Sequence, residues 1–305
     1  MGFKQLAALA AIAVVSGASA CGSDEDDGGA AASDSPAAVV VQTTDASTNK
    51  VVMRAPRSVD AGPVRMTLEN RGDTLHDAQL FKVDGNHDGD DVVNFVLEAI
   101  DSSPKPGWMH PAGGVAPVRP GASATTTQTL DPGTYYIADT QERDDGRRRT
   151  NGAKGGITKL EVTGDPGGRL PSTTATITAT DTEGYRANGL RPGRNRVLFR
   201  NAGRELHQVV ALPIKPGKPL DDGARDALAR RSGTSWVPVD IEGSLATTAL
   251  DAGREQVTEL TFERKPYVLV CFLAKRKGGI PQAYEGMASV LDLSSEKERP
   301  AAGAP

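Results

Sequence analysis

Val64-Arg65-Met66-Thr67-Leu68-Glu69-Asn70-Arg71-Gly72 leads to Leu75-His76, and Arg196-Val197-Leu198-Phe199-Arg200-Asn201-Ala202-Gly203 leads to Leu206-His207. In both stretches apolar residues alternate with polar ones and stop at an Asn-x-Gly turn. That is the pattern of a half-buried β-strand running into a loop. Asn70, Gly72, Leu75 and His76 fall on Asn201, Gly203, Leu206 and His207 at a constant spacing of 131 residues. The chain is therefore read as two copies of one unit.

The match extends outward from these strands. Trp108 answers Trp236, and Pro120-Gly121 with Ala124 to Leu130 answers Ala252-Gly253 with Gln256 to Phe262. Tyr135-Tyr136-Ile137-Ala138 answers Tyr267-Val268-Leu269-Val270, and Thr158 to Val162 answers Ala288 to Asp292. The segments are short, β-branched and bounded by Gly-rich and Pro-rich turns, so each half is expected to be an antiparallel sandwich of about seven or eight strands. The Gly/Pro-rich stretch from Thr163 to Pro171 separates them. The expected domains are residues 50–163 and 172–293, all-β, each interrupted by one short helix, Asp91 to Ile100 and Asp221 to Arg230.

The N-terminus reads differently. Lys4 precedes an apolar run from Leu6 to Val15 and then Ser16-Gly17-Ala18-Ser19-Ala20-Cys21. This is the charged, apolar, small-residue order of a secretory signal, too short to span a bilayer. Ala18-Ser19-Ala20-Cys21 resembles a lipobox, which implies cleavage after residue 20, lipidation of Cys21 and a lipid-anchored protein on the extracytoplasmic side of the cell membrane. Residues 22–49 hold six acids and no base, and are expected to be a disordered, self-repelling tether; residues 294–305 are expected to be a disordered tail. The chain carries a formal charge of −4, and beyond residue 49 it sums to +1. No field for nucleic-acid binding is left. With Cys21 lipidated, Cys271 is the remaining thiol, which excludes a disulfide framework within the chain.

The strand ending Asn-x-Gly-x-x-x-His, the later Val270-Cys271-Phe272 and Gly286-Met287 resemble the cupredoxins, in particular exported bacterial cupredoxin-like domains. The resemblance covers both halves and implies tandem Greek-key sandwiches. In the second half it implies copper held by His207, Cys271 and Met287, because copper favours thiolate, thioether and imidazole together. A second imidazole is expected four or five residues before the methionine, and Gln282 stands there instead, so the ligand set is incomplete. In the first half His76 matches the early ligand, but Asp139 is read at the Cys position and Ile157 at the Met position, which rules out a blue-copper centre there. His87 and His110, in Gly-, Asp- and Pro-rich loops, are read as solvated. The basic loops beside the site, Lys275-Arg276-Lys277 and Arg147-Arg148-Arg149, are read as facing a partner or lipid phosphates.

An enzyme is not expected. The four histidines form no His-x-His pair of the kind that multicopper enzymes need, and no Gly-x-Ser-x-Gly or phosphate-cradling loop occurs. Two readings remain open: a copper-binding module for copper handling or electron transfer, or a metal-free interaction module of the cell envelope.

Overall fold

The computed structural model describes residues 35–99, 103–143, 149–217 and 239–294. The expected signal segment, Cys21, Arg147, Arg148, the expected second helix, Trp236 and the tail beyond residue 294 lie outside the described residues.

The first half contains β1 (Ala37–Ser47), β2 (Lys50–Arg54), β3 (Ser58–Asp60), β4 (Gly62–Asn70), β5 (His76–Val83), α1 (Gly89–Ala99), β6 (Met109–Val118), β7 (Ser123–Leu130), β8 (Gly133–Ala138), β9 (Glu142–Arg143), β10 (Arg149–Thr150) and β11 (Ile157–Thr163). The second contains β12 (Ala175–Thr180), β13 (Gly184–Asn188), β14 (Gly193–Asn201), β15 (Val210–Pro213), β16 (Leu245–Ala246), β17 (Glu255–Phe262), β18 (Pro266–Val270) and β19 (Ala288–Asp292). The architecture is all-β, with sandwich layers as expected.

Alternation decides which face each strand buries. In β4, Val64, Met66 and Leu68 point inward, while in β14 Val197 and Phe199 do so. These residues feed two separate cores. One gathers Val39, Val41, Met66, Leu68, Leu80, Tyr135, Ile137 and Leu160; the other gathers Ile177, Phe199, Leu250, Phe262, Tyr267, Leu269, Cys271 and Met287. Full burial of one such large apolar side chain contributes about 1.5–3 kcal/mol.

Two expectations are corrected. Residues 37–47 are not tether: Ala37 to Thr43 pair parallel with Val64 to Asn70, and Val39, Val41 and Thr43 alternate into the interior. Acidic neighbours obscured a short period-two pattern that is enough to dock a strand. The sandwiches are also not separate. One eight-stranded sheet runs through both halves in the order β13-β12-β14-β17-β7-β4-β1-β2, while a five-stranded sheet (β3-β11-β8-β5-β6) and a four-stranded sheet (β16-β15-β18-β19) close the two cores. The halves join where Thr126, Thr127 and Gln128 of β7 pair with Thr258, Val257 and Gln256 of β17. Each strand thereby covers an edge that would otherwise be open to intermolecular pairing.

The seam between the halves is polar and hydrogen-bonded. The Gln79 amide donates to Gly113 O (3.0 Å) and Ala249 O (3.1 Å), and its Oε1 accepts from Ala249 N (2.8 Å). Thr126 and Thr248 both donate to Gly114 O. Gly114 has φ +124°, and a Cβ there would run into the Ala78 carbonyl, so only glycine lets β5 and β6 approach this closely.

Candidate functional site

The Asn-x-Gly-x-x-x-His motif folds into the same loop twice. Asn70 Nδ2 donates to Thr74 O and Val118 O, and its Oδ1 accepts from Gly72 N. Asn201 repeats this with Glu205 O, Leu250 O and Gly203 N. The glycines are needed for space: a Cβ on either would lie 2.7 Å from the following histidine's Nε2. Each loop is also held by a carboxylate from an earlier strand. Asp45 accepts from Asp73 N (2.8 Å), Thr74 N (3.1 Å) and the Thr74 hydroxyl (3.1 Å), and lies 3.3 Å from His76 Nε2. Asp181 accepts from Arg204 N (2.8 Å) and Glu205 N (3.1 Å), and from His207 Nε2 at 3.0 Å. These two aspartates escaped the sequence reading; the only signal was the pair Thr44-Asp45 and Thr180-Asp181 at the ends of matching strands.

In the first half the histidine is closed on both sides. His76 Nδ1 lies 2.5 Å from Asp139 Oδ2, and the His76, Asp45 and Asp139 side chains are almost wholly buried. Burial alone lowers the His76 pKa, but the two carboxylates outweigh it and hold the imidazolium above its ordinary 6.5. Burial pushes Asp139 up, and burial together with the Asp139 charge pushes Asp77 up to about 7. Asp77 is held by Thr140 N, the Thr140 hydroxyl and Gln141 Nε2.

In the second half the same slot is built differently. His207 is fully buried, Asp181 takes its Nε2–H, and its Nδ1 has no hydrogen-bond partner. Burial holds its pKa below 6.5 despite Asp181 and Glu205, so the ring is neutral with an unused lone pair. Cys271 is also fully buried. Burial raises its pKa, opposed by the backbone N–H groups of Gln208 and Leu273 and by the Tyr185 hydroxyl. That hydroxyl also bonds the Gln208 carbonyl. Gln282 Nε2 donates to Leu206 O (2.9 Å) and Leu273 O (3.3 Å) and lies 3.7 Å from Cys271 Sγ. Cys271 Sγ is itself 3.9 Å from Leu206 O. Cys271 and Gln282 thus meet at the carbonyl preceding His207. Met287 is buried in the same apolar cluster as Cys271, and its N–H reaches Gln282 O at 3.0 Å.

Hydrogen bonds align the two slots residue by residue. Asn151 N donates to Gln141 O and Gly152 N to Asp139 O; Gln282 N donates to Leu273 O and Ala283 N to Cys271 O. Gly156 N reaches Asn151 O just as Met287 N reaches Gln282 O. Asp139 therefore stands for Cys271 and Asn151 for Gln282. The residue at the methionine position is Gly156, not Ile157; the sequence register of this last strand was one residue off, because Ile157 begins β11 as Ala288 begins β19.

The donors in the second half are a neutral imidazole with an open Nδ1, a thiol and a thioether. By donor type they suit a soft monovalent ion such as Cu(I). The Gln282 nitrogen donates to the Leu206 and Leu273 carbonyls, so its amide oxygen is the atom that could face a metal. Among the described residues no three His, Cys, Asp or Glu side chains group as a metal site, so a site here depends on the methionine.

Three surface readings change. His87 stacks on Trp108 with ring centroids 4.0 Å apart and pairs with Asp91 at 3.1 Å. His110 lies between Asp84 (3.0 Å) and Asp251 (2.7 Å), so neither histidine is simply solvated. Arg276 faces inward: its guanidinium binds Asp251 and its N–H donates to Glu205 Oε2 (2.6 Å). Lys275 pairs with Glu285 at 2.7 Å, Lys277 is exposed, and Arg149 opens β10.

No protein-family model matches the sequence, and no curated protein matches it. Among solved structures, an auracyanin from Roseiflexus castenholzii is 18% identical and covers 41% of this chain and 97% of its own, with a TM-score of 0.28. An azurin from Methylomonas sp. strain J is 11% identical over 43% of this chain and all of its own, with a TM-score of 0.29. A copper nitrite reductase from Nitrosomonas europaea is 15% identical over 88% of this chain and 98% of its own, with a TM-score of 0.25. At TM-scores below 0.5 these likenesses transfer neither a site nor an activity to this chain.

Proposed function

We propose that this chain is an exported, lipid-anchored cupredoxin-like protein of the cell envelope whose second half binds one copper ion, as Cu(I), through His207, Cys271 and Met287. One observation carries the reading. His207 Nδ1 is buried without a partner, whereas the matching His76 Nδ1 meets the Asp139 carboxylate, and Cys271 stands at the Asp139 position with its Sγ 3.9 Å from the Leu206 carbonyl. An unpaired buried acceptor costs stability, and a ligand that uses its lone pair recovers it. One imidazole with two sulfur donors favours Cu(I) over Cu(II), which places the role in copper handling more than in electron transfer. The membrane location rests on the Ala18-Ser19-Ala20-Cys21 stretch.

The test uses the full chain carrying Cys21→Ser, titrated with Cu(I) against a chromophoric chelator. One equivalent should bind, and His207→Ala and Cys271→Ser should each abolish it. A second reading is favoured by Gln282, whose amide fills the space beside Cys271 with three contacts. In that reading the slot is closed, the protein is a metal-free interaction module, and the wild type takes up no Cu(I).

A further inference from the structure

The loop from Cys271 to Met287, which holds two of the three proposed copper ligands, is tied at its middle to the other half of the molecule. Arg276 makes three contacts, one of them with the first half. Its N–H donates to Glu205 Oε2, its carbonyl accepts from Lys105 N (2.7 Å) in the first half, and its guanidinium binds Asp251. Asp251 is held in turn by the first half, through its N–H on Pro111 O (2.8 Å) and its Oδ2 on His110 Nδ1 (2.7 Å). His110 reaches back to Asp84 through Nε2. Burial works against ionisation of Asp251, but Arg276 and His110 outweigh it and keep the carboxylate charged.

The residue beside Asp251 controls the other side of the slot. Leu250 exchanges backbone hydrogen bonds with His207 (3.1 and 2.8 Å) and bridges to Ala112 of β6. Both sides of the candidate site therefore hang from two consecutive residues that are docked on β6.

This arrangement is not inherited from the repeat. Asn70 donates to Val118 O as Asn201 donates to Leu250 O, which places Arg119 where the second half has Asp251. Arg119 is exposed. The acid that binds the loop arginine is thus replaced by a base, Arg119, at the matching position of the first half.

We infer that the first half is a positioning element for the proposed copper site: His110, Asp251 and Arg276 form a lock between the halves that holds the Cys271–Met287 loop closed over His207. The inference rests on the copper reading for its consequence, slow metal release, and on geometry alone for loop closure. Asp251 and Arg276 are positioning residues, several bonds from any ligand atom.

Two readouts on the full chain with Cys21→Ser separate these parts. The first is the rate at which bound Cu(I) passes to excess chelator. The second, on metal-free protein, is the rate at which a small alkylating reagent modifies Cys271. Arg276→Ala and Asp251→Ala should each speed both processes by about tenfold or more, and the double variant no more than Asp251→Ala alone, because that change already breaks the Arg276–Asp251 contact. His110→Ala should act in the same direction from the other half. Arg194→Ala, which removes an exposed pair with Glu259 at the far end of β14, should leave both rates unchanged. If the wild type binds no Cu(I) but Cys271 modification responds as stated, the copper reading fails and the lock stands. Unchanged rates in Arg276→Ala or His110→Ala, or additive effects in the double variant, overturn the lock even if copper binds.

Discussion

Replacing Asp139 by Asn leaves a buried imidazole facing an amide in place of a charge. In the wild type His76 Nδ1 is 2.5 Å from the Asp139 carboxylate, with neither side chain exposed. Removing one partner of such a pair costs about 3–5 kcal/mol, since the remaining charge keeps its desolvation penalty. Part of this returns, because the Asp139 charge helps to hold Asp77 up at about 7 and that carboxyl relaxes when the charge goes. A net loss of about 2–3 kcal/mol is expected.

The pH dependence carries the sharper test. His76 has a folded pKa above its unfolded 6.5, so its contribution is complete below about 6.5 and is lost as pH rises through the folded value. Asp77, raised from 3.8 to about 7, acts in the same direction: the unfolded carboxyl ionises above 3.8 while the folded one stays protonated, so stability is lost between these values. Wild-type stability should therefore fall between about pH 6.5 and pH 8, while at lower pH the depressed His207 opposes the trend. In Asp139→Asn, burial of His76 is opposed by Asp45 alone, so that fall should be much shallower. Denaturant unfolding of the full chain at pH 5, 6.5 and 8 measures both quantities. A loss below about 1 kcal/mol, or an unchanged pH slope, refutes the ion-pair account.

Gln282→His supplies a second imidazole beside Cys271; it should bring an intense visible absorption with Cu(II) that the wild type lacks, and a colourless variant would count against the copper reading. Gly203→Ala forces a methyl group against Asp181 and His207 Nε2, so thermal denaturation should show a loss of about 2 kcal/mol or more together with weaker Cu(I) binding. A Gly203→Ala protein with wild-type melting and affinity would show that the loop yields freely. If the proposed lipid anchor is right, Cys21→Ser should abolish fatty-acid labelling of the protein, and labelling equal to the wild type would refute the anchor.

Local patterns were legible and distant partners were not. Asn70, Gly72 and His76 sit within one loop, so their repetition at Asn201, Gly203 and His207 could be read directly. Asp45 and Asp181 act on those loops from strands 31 and 26 residues upstream of the histidines they meet, a pairing that no local period encodes. Ala37 to Val41 carries strand alternation, but acids on both sides made the segment look solvated. The shared sheet was hidden for a related reason. Thr126, Gln128, Gln256 and Thr258 look like solvent-facing strand residues, and they are buried because the two halves hydrogen-bond through them. Arg276 looked like surface charge, since nothing near it in the chain announces Asp251.

The parallel pairing of β1 with β4 has a mechanical consequence. Tension that enters ahead of Ala37 and is resisted by the rest of the sheet runs along the strand axis. The seven paired positions from Ala37 to Thr43 then share the load in shear, whereas an edge strand lifted from one end would open one rung at a time. With β2 on its other side, β1 is gripped from both flanks over part of its length. A pull on the chain ahead of Ala37 is therefore borne by the first strand of the fold before any strain reaches the half that carries Cys271.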